Sequence, residues 1–451
     1  MENPYFCRPN NTLAMKKILT FSFLWLFMTA SIGALAQNLP DLDEKYAAEL
    51  LKPGTPAPDF QLTTIDGKML KFSDFAKEKY VVLDFWASWC PDCRKDAPEI
   101  VRMYERFHPK GVEFLGVSFD TDKEKWAACV EKMGIPYTQV SELKRMAQSA
   151  VAGAYGVRWI PSIYLIDPDG KVLVSTVLSY KIEKKLWELF EQPQAHCGNA
   201  EKLTIKGSRG NLSAVLRTPA LKPGAQCDLV VFCHGFNSDK EFYLLKMAAE
   251  QLQADGVASL IFDFNGHGES DGKFKDMTIP NEIEDLDSVL AYVSKLPYVQ
   301  DIALVGHSQG GVVAAMSAGN HPDRIKSVVL LAPAAILRSD ALRGNLFGTT
   351  YDPLDIPESI VLFNGLEVGG RYLSTAARLP IYETAANYHG SACLIHGTGD
   401  VLVPYTDSER FHQIWSGSEY YLLDYYDHNF TGCPYRPVEI TVEYLERTLK
   451  Q

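Results

Sequence analysis

Three residues far apart in the chain, Ser308, Asp400 and His428, are of the types that attack a carbonyl. Two close together, Cys90 and Cys93, are of the type that exchanges disulfides. A serine hydroxyl is a weak nucleophile at neutral pH, so a base such as His428 must take its proton. A carboxylate such as Asp400 then fixes the imidazole tautomer and stabilises the imidazolium. Ser308 sits in Gly306-His307-Ser308-Gln309-Gly310, after the apolar, β-branched run Ile302-Ala303-Leu304-Val305 and before the small, helix-favouring stretch Gly311 to Ala318. Strand, tight turn and helix with serine at the tip make a nucleophile elbow. The turn strains the serine backbone, and only residues without a bulky side chain fit at 306 and 310, where helix and strand pass close.

The thiols form a C-x-x-C, Cys90-Pro91-Asp92-Cys93, where an apolar strand gives way to a helix. Helix N-terminal N–H groups favour a thiolate, so Cys90, taken as the more exposed sulfur, is the expected attacking thiol. Cys93, one turn in, is the buried resolving thiol. Asp84 precedes Cys90 by six residues in the strand beneath. There its partly buried carboxylate would accept the proton from Cys93 as that thiol attacks a mixed disulfide. A zinc half-site would need a second cysteine pair or paired histidines at close spacing, and none is present. No metal and no cofactor beyond the redox-active Cys90–Cys93 disulfide is expected.

These groups need two scaffolds. From Pro53 to about residue 190 the pattern is strand (Tyr80 to Phe85), helix to about Phe107, strand (Val112 to Phe119), helix (Lys123 to Lys132) and strand (Ile163 to Ile166), an α/β arrangement on a mixed sheet. Residues 191–200, poor in apolar side chains, read as a linker. From 201 to 451 strands are expected at Leu229 to Phe232, Ala258 to Phe262, Ile302 to Val305, Val328 to Leu331, Cys393 to Ile395 and Tyr420 to Leu423, with helices between. That is a doubly wound, mostly parallel sheet whose active groups belong at strand C-terminal ends. His234-Gly235-Phe236 follows the first of these strands. The Phe236 N–H and the Gln309 N–H are the two expected oxyanion donors. Asp424 and Asp427 compete with Asp400, but a partner for His428 from another strand end favours Asp400. The order Ser, Asp, His is that of α/β-hydrolases. Residues 335–390 break the alternation for longer than an ordinary loop and read as a lid over the serine.

Phe85-Trp86-Ala87-Ser88-Trp89-Cys90-Pro91-Asp92-Cys93, with Pro58-Asp59-Phe60 and Trp159-Ile160-Pro161-Ser162, resembles the TlpA-like thiol–disulfide oxidoreductases of the thioredoxin superfamily in the bacterial envelope. The resemblance implies a thioredoxin-like fold, makes Pro161 a cis-proline facing the disulfide, and implies an envelope redox partner protein. The stretch Asp263 to Phe274, Asn281-Glu282-Ile283-Glu284-Asp285, Gly306 to Val313, Leu331 to Ala335 and Leu379 to Glu383 are together similar to bacterial cinnamoyl (feruloyl) esterases. That resemblance implies a small aromatic ester or a feruloylated oligosaccharide as substrate. It places recognition of the ring hydroxyl on Asp340 and Tyr372. Phe347 stands where the family usually has a glutamine, one hydrogen-bonding group fewer. The bland alternative makes Asp340 a helix cap and Tyr372 lid core.

Composition narrows the classes. The chain has 451 residues, 46% hydrophobic and 22% charged, enough for two or three soluble domains. A net charge of −12 argues against a nucleic-acid partner. Lys16-Lys17, the apolar run Ile18 to Ala30 and Ala34-Leu35-Ala36 read as a signal peptide cut after Ala36, with residues 1–14 an upstream extension. The run is short for a span of about 20 residues, so a periplasmic or secreted protein without a membrane span is expected. The leading reading is an exported serine esterase for hydroxycinnamate esters fused to a thiol–disulfide oxidoreductase. The alternatives are a hydrolase of other esters or thioesters, or a redox module whose hydrolase half only binds.

Overall fold

The structure is a computed structural model and describes residues 41–191 and 198–450. The expected signal peptide (1–36) and the middle of the expected linker, residues 192–197, lie outside the described residues. The described residues divide into two compact units: 41–191 with 431–436, and 198–430 with 437–450.

In the first unit the strands are β1 (Gln61–Thr64), β2 (Met69–Lys71), β3 (Tyr80–Trp86), β4 (Val112–Ser118), β5 (Thr138–Ser141), β6 (Ser162–Ile166) and β7 (Val172–Thr176). They form one mixed sheet in the order β2-β1-β5-β4-β3-β6-β7. β3 is parallel to β4 and antiparallel to β6. Six of its seven residues are buried, because helices cover both faces, so it reads as an unbroken apolar run. The helix Pro91–Phe107 starts with proline at its first position and turns Cys93, Ala97, Ile100, Met103 and Phe107 inward at three- and four-residue spacing.

The second unit is an eight-stranded sheet. Its strands are β8 (Gly198–Lys206), β9 (Asn211–Pro219), β10 (Cys227–Cys233), β11 (Ala258–Phe262), β12 (Val299–His307) and β13 (Ser327–Leu331), then β18 (Ser391–Gly397) and β19 (Glu419–Leu423). Their order is β19-β18-β13-β12-β10-β11-β9-β8. β10, β11, β12, β13, β18 and β19 pair in parallel, whereas β8 and β9 form an antiparallel edge. That edge corrects the expected linker, since β8 starts at Gly198 and not after residue 200. β8 is exposed at nearly every position, so it carries almost no apolar signal.

Between β13 and β18 the chain leaves the sheet. It forms the helix Ile336–Arg343, two small hairpins (β14, Asn345–Leu346, with β15, Thr349–Thr350; β16, Ser359–Val361, with β17, Glu367–Gly369) and the helices Gly370–Ala376 and Ile381–Ala385. This is the stretch expected as a lid.

Candidate active sites

Ser308 joins β12 to the helix Gln309–Asn320 with φ +57° and ψ −123°, the left-handed strain expected of an elbow. The glycines are dictated by space. A Cβ on Gly306 would lie 2.3 Å from the Gly310 carbonyl oxygen, and one on Gly310 would lie 2.3 Å from the carbonyls of Cys233 and His234. The Ser308 N–H donates to the Leu331 carbonyl (2.9 Å), tying the turn to the neighbouring strand.

His428 meets this serine from the loop after β19. Its Nε2 lies 2.9 Å from Ser308 Oγ, and its Nδ1 lies 2.7 Å from Asp400 Oδ2. The carboxylate can only accept, so Nδ1 carries the proton and Nε2 is left to receive the one on Ser308. Asp400 therefore faces His428. The N–H groups of Leu402 (2.9 Å) and Val403 (2.8 Å) bind its Oδ1. Burial alone would raise its pKa, but the His428 imidazole and the hydrogen bonds from both histidines hold the carboxyl well below the usual range.

The second histidine escaped the sequence reading. His396 Nε2 approaches Asp400 Oδ2 (3.0 Å) and the Val403 carbonyl (3.1 Å), so it donates, while Nδ1 accepts from the Ser408 hydroxyl (2.7 Å). The available signal is the H-G-x-x-D spacing of His396 to Asp400. His307 approaches the His428 carbonyl (2.9 Å), and His234 bridges the Gly235 carbonyl and the Phe264 N–H, each holding a loop. His267, buried against His234, has no hydrogen-bond partner on either ring nitrogen among the described residues.

The His234-Gly235-Phe236 turn lies against the nucleophile, since a Cβ on Gly235 would fall 2.9 Å from Ser308 Cβ. Among the described residues neither the Phe236 nor the Gln309 N–H has an acceptor. The Phe236 ring is surrounded by Phe274 (centroids 5.0 Å apart), Phe347 (5.1 Å) and Tyr372 (5.7 Å), an aromatic wall beside the serine. Asp263, by contrast, is structural. Buried, it accepts from the Lys240 N–H (2.6 Å), Lys240 Nζ (2.7 Å) and the Glu269 N–H (2.8 Å), holding the glycine-rich turn closed.

In the first unit Cys90 is the N-cap of the helix Pro91–Phe107. Its Sγ accepts the Cys93 N–H (3.2 Å) and faces the Ile160 carbonyl (3.6 Å), beside the cis Ile160–Pro161 bond. Both thiols are free, and each is only 4% exposed. The Cys90 sulfur caps the helix and faces the loop carrying Pro161. What separates the two thiols is electrostatics. Interaction with Cys93, its side chain first, lowers Cys90 to about 7, while burial and the neighbouring Cys90 sulfur push Cys93 far up. Asp84 is fully buried, against the expected partial burial, and burial lifts it to about 7 despite the Tyr137 hydroxyl donating to it (3.0 Å).

The AhpC/TSA family model matches residues 53–175, the "serine aminopeptidase, S33" model residues 224–349 and the Esterase model residues 287–432. The thiol–disulfide oxidoreductase ResA of Bacillus subtilis (strain 168) is 34% identical over 125 residues, 28% of this chain and 67% of that protein. ResA of Bacillus cereus (strain ATCC 10987 / NRS 248) is 31% identical over 162 residues, 35% of this chain and 88% of that protein. Est1E from Butyrivibrio proteoclasticus, solved with ferulic acid bound, is 30% identical with a TM-score of 0.53, covering 55% of this chain and all of Est1E. The chain belongs to the ResA-like thiol–disulfide oxidoreductases in its first unit and is an Est1E-like α/β-hydrolase in its second.

In the hydrolase unit the lid residues divide. Tyr372 is buried, and its hydroxyl donates to Gln309 Oε1 (2.7 Å), leaving it only lone pairs to offer a ligand. Asp340 caps no helix. It lies in the last turn of Ile336–Arg343, paired with Arg343, and its charge is among those that raise Tyr372. Phe347 is 38% exposed and packs at a tilt on Phe236. A residue without an assigned role, Glu282, accepts from Gln309 Nε2 through both oxygens (2.9 Å each), and burial pushes it up to about 8. Among the described residues no helix is long and apolar enough to cross a membrane.

Proposed function

We propose that the hydrolase unit is a serine esterase for hydroxycinnamate esters and that the thioredoxin-like unit exchanges disulfides through Cys90 and Cys93 with an envelope redox partner. The relay from Ser308 Oγ through His428 to Asp400, beside an aromatic wall, carries the first half. It supports a mechanism in which His428 Nε2 takes the Ser308 proton as Oγ attacks the ester carbonyl. The N–H groups of Phe236 and Gln309 then receive the oxyanion, at about 3–4 kcal/mol per donor. Collapse expels the alcohol, protonated by His428, and water repeats the sequence on the acyl-enzyme.

In the other unit the Cys90 thiolate attacks a substrate disulfide. Cys93, its proton passed to Asp84, then displaces the mixed disulfide, oxidising Cys90–Cys93 and reducing the partner. The metal-free, cofactor-free site, the export signal and the periplasmic or secreted location belong to the same proposal.

The substrate class is tested by release of ferulate from methyl ferulate against release of nitrophenol from nitrophenyl acetate, with and without reductant. A clear preference for methyl ferulate is expected. Equal or lower efficiency on ferulate would leave a general esterase. Asp340, in the last turn of the helix Ile336–Arg343, is proposed to bind the ring hydroxyl. Asp340→Ala should lower kcat/KM for methyl ferulate by about tenfold or more, and for methyl cinnamate by much less. Equal losses on the two esters would remove that role.

A further inference from the structure

Gln309 is the first residue of its helix, so its N–H is one of the four that the helix leaves unpaired. Its side chain is buried and bound at both ends. Nε2 donates to Oε1 and Oε2 of Glu282 at 2.9 Å, and Oε1 accepts from the Tyr372 hydroxyl at 2.7 Å. Glu282 comes from the first turn of the sheet-packing helix Ile279–Val293, and Tyr372 from the lid helix Gly370–Ala376. A planar amide bonded from opposite ends cannot rotate without breaking one bond. The Tyr372 ring also lies 5.7 Å from that of Phe236, the other expected oxyanion donor. Burying a carboxyl is expensive where an apolar side chain would pack more cheaply, so Glu282 calls for a reason beyond filling space.

We propose that Glu282 and Tyr372 are positioning residues that clamp Gln309, so that seating of the lid sets the oxyanion donor. The proposal rests on the reading of Ser308 as nucleophile and the Gln309 N–H as oxyanion donor. Its consequence is that the lid acts on the rate of acylation as well as on binding. An oxyanion donor counts mainly in the transition state, so loosening it lowers kcat and leaves ground-state affinity in place.

The test uses the full chain with methyl cinnamate and 4-nitrophenyl acetate, whose acyl groups have no ring hydroxyl for Tyr372 to bind. Glu282→Gln and Tyr372→Phe should each lower kcat about tenfold with KM within about twofold. Affinity for 2-phenylethaneboronic acid, which mimics the tetrahedral adduct on Ser308, should fall in parallel, while inhibition by cinnamate stays unchanged. The double variant Glu282→Gln/Gln309→Glu restores the pair with donor and acceptor exchanged, and keeps a carboxylate oxygen for Tyr372. It should recover most of the kcat lost in Glu282→Gln. Folded single variants with wild-type kcat and boronate affinity would overturn the clamp, as would losses confined to KM and cinnamate affinity. If Ser308→Ala still turns over ester, the esterase reading falls and the clamp with it. An inert Ser308→Ala beside unimpaired Glu282→Gln and Tyr372→Phe removes the clamp alone.

Discussion

Each unit keeps a buried aspartate beside its reactive group, and the two are held in opposite states. Asp84, near Cys93, receives one hydrogen bond, from Tyr137, so burial dominates and the carboxyl rises to about 7. Asp400, behind His428, is as buried by its side chain. It receives two backbone N–H groups and two imidazoles, and its carboxyl stays low. Depth alone does not set the charge of a buried acid; the count of donors aimed at it does. An acid near 7 can take a proton and return it at neutral pH. One held far below cannot, and serves as a fixed charge opposite an imidazolium.

Exchanging the charge for an amide at each site probes this difference. The largest effect is expected from Asp400→Asn, which keeps the shape but turns an N–H toward His428 Nδ1 and favours the wrong tautomer. Esterase kcat should fall by about 10⁴. A loss under tenfold would show that the Asp400 charge is not what orients and stabilises His428.

In the thioredoxin-like unit Asp84→Asn should be milder, slowing resolution of the mixed disulfide by about 10²-fold while leaving attack by Cys90 nearly intact. Stopped-flow thiol trapping separates the two steps. Slowing of both steps alike would mean that Asp84 acts on the site as a whole.

The smallest effect is on stability. The folded-state pKa of Asp84 is raised, so the folded unit holds that proton more tightly than the unfolded chain. Its contribution is fully present below about pH 4 and is lost as pH rises through about 7. Asp84→Asn keeps an acceptor for Tyr137 and removes the titration. It should therefore match wild type at pH 4 and exceed it by about 2–4 kcal/mol at pH 8 in denaturant unfolding of this unit. A constant difference between the two pH values would place the burial cost elsewhere.

The chemical groups were legible because their signatures are local. An elbow needs glycine where backbones come within van der Waals distance, as at Gly306 and Gly310, and a C-x-x-C needs a strand running into a helix with proline at its first turn. Strands buried on both faces, such as β3 and β10 to β13, announce themselves as apolar runs. The edge strand β8 does not, because an exposed strand carries no periodic apolar signal.

What the residue order could not specify were contacts between elements distant in sequence. Ile160 lies 70 residues from Cys90, yet its carbonyl faces that sulfur. Glu282 lies 27 residues from Gln309, and Tyr372 lies 63 from it, yet they share one amide. Asp400 takes a second imidazole from His396, only four residues away, but that bond forms because the turn after β18 folds back, which spacing alone does not dictate. Residue types and short spacings name the reacting atoms, since the chemistry and the local backbone geometry require them. Which polar neighbours tune and hold those atoms depends on how helices, strands and lid close over one another, where a carbonyl or a carboxyl finds its partner only after packing has excluded water.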